Sequence, residues 1–141
     1  MIPPHPMSPV VQTVARILCT AIVVFGIYIL LHVHSVAPGG GFQGGAVVAS
    51  AIALLIVAFD SKFLNKDRLT YSLFLGLLLF ISIGFIGLLD QAFLHNSLLM
   101  SMTKTGNILF LNIAIGFSVT GSLGLLLMRF SSIPKKEGEA I

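Results

Sequence analysis

Apolar residues along this chain fall into four long runs, separated by short stretches where polar residues, glycine and proline gather. A helix needs about 20 predominantly apolar residues to cross a bilayer core about 30 Å thick. The runs over residues 10–34, 43–59, 71–89 and 106–128 meet that need and predict four transmembrane helices. The second is the shortest, rising only about 26 Å at about 1.5 Å per residue. It therefore either starts earlier, inside the glycines that precede it, or leaves them packed at membrane depth. Irregular backbone is tolerated there only where protein or a water-filled cavity satisfies it. The predicted fold is all-α, a single membrane domain over 1–141 with a mobile polar tail over 131–141.

Composition agrees with this pattern. Hydrophobic residues make up 56% of the 141 and charged residues 9%, against about 25% charged in a typical soluble domain. Mean hydropathy is +1.02. The net charge of +3 does not point to nucleic acid, because the charges flank the apolar runs instead of forming a stripe or tail. Arg16, Lys62, Lys66, Arg68, Arg129, Lys135 and Lys136 stand on one side and only Lys104 on the other. Lys and Arg accumulate on the cytoplasmic side of membrane proteins, which places both termini and the 60–70 loop in the cytoplasm. The segment before residue 43 and the 90–105 loop then face outward. Residues 1–10 contain no Lys or Arg, so the first run reads as a retained span and not a cleaved signal peptide.

Small residues recur at four-residue spacing within the runs: Gly45 and Ala49, Ala49 and Ala53, Ala46 and Ser50, Ser118 and Ser122, Thr120 and Gly124. Such pairs let membrane helices approach closely, where no hydrophobic drive separates helix from lipid. They serve either the four-helix bundle itself or partners outside the chain.

Candidate chemistry concentrates in residues 32–45, which hold five glycines, one proline and two histidines. The run lacks the Gly-Lys-Ser/Thr ending of a phosphate-binding loop. His32 and His34 point apart on a helix and have no Cys, Asp or Glu close by, a poor metal set. Asp90, at the outer end of the third run, either pairs with a cation or a partner's Arg or simply closes the helix in solvent. Asn112, like Asn107, reads as interhelical hydrogen-bonding glue. The interiors of runs two to four contain no Lys, Arg, Asp, Glu or His. Ion and proton pathways usually leave ionisable residues there, so the chain does not form a complete proton antiporter by itself. Arg16 snorkels toward the headgroups, and the single Cys19 is a small hydrophobe. No catalytic constellation, metal set or cofactor motif can be assembled, so the chain is not read as an enzyme.

The octapeptide Pro38-Gly39-Gly40-Gly41-Phe42-Gln43-Gly44-Gly45, preceded by His34 and followed by an Ala-rich span, closely resembles the small B-type subunit of the Mrp-type multisubunit Na+/H+ antiporters. The resemblance covers nearly the whole chain and includes the Pro, Phe and Gln positions. It implies a small subunit in a hetero-oligomeric complex of the bacterial plasma membrane. Proton conduction there lies in large antiporter-like partner subunits, and Na+ leaves as H+ enters. Carried over to the matching positions, His34, Pro38, Gly39, Gly40, Gly41, Phe42, Gln43, Gly44 and Gly45 form an outward-facing ion-route or subunit-contact motif. His32, Asp90 and Asn112 are weaker candidates. Two alternatives stay open: a membrane subunit of a redox-driven, hydrogenase-type complex carrying the same module, and a stand-alone small ion channel using backbone carbonyls.

Overall fold

The structure, a computed structural model, describes residues 7–32, 40–59, 64–89 and 107–132. Four helices account for nearly all of them: α1 (Pro9–Leu31), α2 (Gly41–Phe59), α3 (Lys66–Leu89) and α4 (Asn107–Ser131). Each is long and apolar enough to cross a membrane, and no strand occurs among the described residues.

The helix ends follow local chemistry more closely than the apolar runs do. Ser8 caps α1 by accepting the Val11 N–H at 3.4 Å, and Pro9 occupies the first helical position, where its missing N–H costs nothing. The apolar run predicts a first span to residue 34, but α1 stops at Leu31, and the His32 N–H bonds to the Tyr28 carbonyl at 2.9 Å. At the start of α2 the helix reaches back into the glycine run, taking in Gly41 and Phe42 ahead of the expected residue 43. The α3 helix starts at Lys66, five residues before the expected 71. Asn65 accepts the Asp67 N–H at 2.9 Å, and the Asp67 carboxylate complements the positive end of the helix dipole. A helix of 24 residues is about 36 Å long, so its polar first turn can project beyond the hydrocarbon. At its far end α4 runs on to Ser131 with Arg129 in the last turn, where a cation suits the dipole.

In space the helices lie in the order α1, α2, α4, α3, with α2 held between α1 and α4. Partners along the interfaces fix the directions. Gly41 meets Asn112 and Gly45 meets Gly116, so α2 and α4 run the same way. Gly26 of α1 meets Val48 while Arg16 lies over Phe59, so α1 and α2 are antiparallel. Gly76 of α3 lies against Ala114 and Ser118, and Gly121 against Leu69 and Leu73, an antiparallel pair. The Ser72 hydroxyl donates to the Phe117 carbonyl at 2.9 Å across the same seam.

Buried side chains are small: Ala15, Ala49, Ala51, Ala58 and Ala114 are nearly inaccessible, and no large side chain is fully enclosed among the described residues. Larger apolar residues gather at one end, where Ile56, Leu69 and Met128 meet with Ile52, Leu64, Leu125 and Leu127 around them. Most of the bulk faces outward, including Val10, Phe25, Phe74, Leu78 and Phe85. Close backbone approach holds the bundle together, as expected where lipid is as apolar as the interior.

Candidate functional site

Gly41, Gly44 and Gly45 lie at the start of α2, and each meets different atoms of a neighbouring helix. Gly40 precedes the helix, and its carbonyl accepts the Gly44 N–H at 3.0 Å. The Gly41 N–H, one of the orphan donors of a helix start, reaches across to α4 and donates to Asn112 Oδ1 at 3.2 Å. Asn112 is only 8% exposed. An amide buried among apolar helices is costly without partners, and here it supplies the acceptor that the start of α2 lacks. Its role as interhelical glue is legible in the sequence; the glycine N–H that it binds is not.

A side chain at Gly41 would collide with the Asn112 carbonyl oxygen at 2.5 Å and Ile115 Cβ at 2.8 Å. At Gly45 it would meet the Gly116 carbonyl oxygen at 2.8 Å and Val119 Cβ at 2.9 Å. Gly41, Gly45 and Ala49, four residues apart, are all buried. The Thr120 hydroxyl donates to the Gly45 carbonyl at 3.2 Å. Gly44 points to the other neighbour, where a Cβ would fall 2.5 Å from Leu30 Cγ and 2.9 Å from the Gly26 carbonyl oxygen of α1. Thus α2 uses two glycine faces, one for each flanking helix of its own chain. Glycine in a helix costs roughly 0.5–1 kcal/mol relative to alanine; these positions bear that cost because no side chain fits.

Phe42 and Gln43 behave differently. Phe42 is 64% exposed and Gln43 is also exposed, so both lie on the face of α2 turned away from α1 and α4. Ala46 and Ser50 continue that face, half-buried and exposed respectively. His32 lies at the end of α1, with its ring 4.9 Å from that of Tyr28. His34, Pro38, Gly39 and Asp90 lie outside the described residues, as do the 90–105 loop and most of the 131–141 tail. Among the described residues no group of three or more His, Cys, Asp or Glu side chains could hold a metal ion.

Arg16, expected to reach for the headgroups, has its guanidinium carbon 4.9 Å from the centre of the Phe59 ring. This cation–π contact ties the start of α1 to the end of α2. Four further glycines escape the sequence pattern. Gly26, Gly76, Gly116 and Gly121 all sit at helix crossings, yet none belongs to a four-residue pair named above. Asn112, Gly116 and Thr120 do form such a stripe on α4, and that spacing is the signal the sequence offers.

Comparison with known proteins gives three findings. A family model described as a domain related to the MnhB subunit of Na+/H+ antiporter matches residues 10–125. A protein of Methanocaldococcus jannaschii named as uncharacterized is 31% identical over 139 residues, covering 82% of this chain and 49% of that protein. Two bacterial relatives are named as the B-type subunit of a Na+/H+ antiporter. The one from Alkalihalophilus pseudofirmus is 37% identical over 81 residues, 55% of this chain and 56% of the relative. The one from Bacillus subtilis is 42% identical over 53 residues, 38% of this chain and 36% of the relative. The matches therefore span between about a third and somewhat over half of each relative's length.

Proposed function

We propose, since the chain belongs to the family of domains related to the MnhB subunit of Na+/H+ antiporter, that it is a small integral-membrane subunit of a hetero-oligomeric Na+/H+ antiporter. The observation that carries this reading is the family match over residues 10–125, which takes in the glycine segment and nearly all of the four helices. The interiors of α2, α3 and α4 hold no Lys, Arg, Asp, Glu or His. Proton conduction therefore belongs mainly to larger partner subunits, and this chain contributes to assembly and to the shape of the sodium route.

The glycine segment has two jobs in this reading. Gly41, Gly44 and Gly45 lock α2 between α1 and α4, which fixes the direction in which the exposed Phe42 and Gln43 are presented. Those two side chains then meet a partner subunit or border the ion route, with the Gln43 amide oxygen available to a partly dehydrated cation. His34, Pro38 and Gly39 precede the motif in the sequence, and His32, at the end of α1, stands at the same outward end. The excess of Lys and Arg at the opposite end sets the orientation, with that end in the cytoplasm and the multi-pass chain in a bacterial plasma membrane.

Phe42→Ala in the intact complex tests the role of the motif. Reduced Na+/H+ exchange in membrane vesicles, with the complex still recovered whole, supports a lining or gating role. Unchanged exchange removes that role, and loss of the assembled complex makes Phe42 a subunit contact instead.

A further inference from the structure

The described Lys and Arg residues all gather at one end of the bundle. Arg68 adjoins Leu69 and Arg129 adjoins Met128, and Leu69 and Met128 pack in one cluster with Ile56. Arg16 lies over Phe59, three residues beyond Ile56. Lys66 opens α3 at the same end. Beside the cluster is an open cleft of about 560 Å³, lined among the described residues by Leu64, Asn65, Arg68 and Leu69. Its walls divide in character. Leu64 and Leu69 belong to the apolar cluster, while Asn65 and Arg68 are exposed. Asn65 uses its Oδ1 to cap α3 through the Asp67 N–H, which leaves the amide Nδ2 as a donor on the second polar residue lining the cleft. Asp67 is the one acidic residue of this turn, and it is not among the residues lining the cleft.

From this arrangement we infer that the cleft binds the headgroup of an anionic phospholipid. Arg68 and the Asn65 amide hold the phosphate, and the first part of an acyl chain lies along Leu64 and Leu69. Charge complementarity selects the occupant: a guanidinium at the membrane boundary presents a planar set of N–H donors suited to phosphate oxygens. Basic pockets at the cytoplasmic end of transmembrane helices recognise anionic headgroups in this way. A soluble phosphate would satisfy Arg68 but leave the two leucines uncovered. The inference rests on the proposed cytoplasmic placement of the basic end, since that leaflet supplies the anionic surface.

The test uses the full chain, purified in neutral detergent and stripped of lipid. Native mass spectrometry measures retention of phosphatidylglycerol against phosphatidylcholine with the same acyl chains. Preferential retention of phosphatidylglycerol is expected, falling about fivefold in Arg68→Gln, the size of one basic residue's attraction to an anionic surface. Asn65→Ser keeps a helix-capping oxygen while removing the amide donor. It lowers retention less than Arg68→Gln with helicity intact, which separates headgroup binding from misfolding. Arg129→Gln, at the same basic end but outside the cleft, lowers retention less than Arg68→Gln. Equal retention of the two lipids, no loss in Arg68→Gln, or displacement of the lipid by inorganic phosphate would each overturn the inference. The antiporter reading fails separately, by loss of co-purifying subunits, and the orientation by labelling of the basic end from outside intact cells.

Discussion

Adding one methyl group at Gly45 tests how the glycine segment holds α2 in place. A Cβ there would sit 2.8 Å from the Gly116 carbonyl oxygen, 2.9 Å from Val119 Cβ and 3.1 Å from Gly116 Cα, where ordinary contacts begin near 3.4 Å. All three atoms are backbone or the root of a β-branched side chain, so no rotamer change clears the space and α2 must back away from α4 by about half an ångström. Overpacking of this kind costs about 1–3 kcal/mol. The same retreat strains the 3.2 Å bond from Thr120 to the Gly45 carbonyl, and such interhelical bonds contribute about 0.6 kcal/mol. Alanine's better helix propensity returns up to about 1 kcal/mol. The expected net is a loss of about 1–2.5 kcal/mol. Two control substitutions sharpen the expectation. At Gly116 the nearest atoms all belong to the flexible Leu30 side chain, its two terminal methyls foremost, so Gly116→Ala should come out near neutral as Leu30 moves and propensity improves. At Gly40 the nearest atoms, all of Gln43, are 3.8 Å away, and Gly40→Ala should stay within about 0.5 kcal/mol of the parent. Equilibrium unfolding of the purified chain in mixed micelles, followed by circular dichroism, ranks the three. Parent-like stability in Gly45→Ala, or a larger loss in Gly116→Ala than in Gly45→Ala, would refute the close-packing account.

Asn112→Ala should cost about 1–3 kcal/mol by leaving the Gly41 N–H buried without its acceptor; the same unfolding titration reads it, and a neutral result removes the cap across the interface. In Arg16→Ala the contact with Phe59 disappears, and a double-mutant cycle with Phe59→Leu should give a coupling of about 0.5–1 kcal/mol; zero coupling would show that the guanidinium and the ring merely lie close. Thr120→Val, which keeps shape but removes the donor to Gly45, should lower stability by about 0.6 kcal/mol and leave subunit recovery unchanged. Phe42→Ala, on the exposed face, should leave the stability of the isolated chain within about 0.5 kcal/mol while altering exchange by the whole complex.

The helices are legible in the sequence because hydrocarbon imposes a length of continuous apolar chain that few soluble elements reach. Their ends are less so. Capping by Ser8 and Asn65 depends on one or two hydrogen bonds that hydropathy averages away, and for that reason the polar start of α3 from Lys66 looks like loop in the sequence. The glycine segment stands out by composition, but its division of labour does not: which glycine faces α1 and which α4 depends on the position of α2 in the bundle. Gly26, Gly76 and Gly121 give little signal, because an isolated glycine in an apolar run looks like any small residue until its partner helix is known. Phe42 and Gln43 stand out through family resemblance, and the structure adds that both face away from α1 and α4.

The central claim, membership of a multisubunit exchanger, is tested most directly by purifying the tagged chain from its native membrane in mild detergent and identifying by mass spectrometry what accompanies it. Large antiporter-like membrane subunits, without metallocluster proteins, are the expected companions. Recovery of the chain alone or as a homo-oligomer that conducts ions in liposomes would contradict the account, and recovery with hydrogenase subunits would move it to a redox-driven complex.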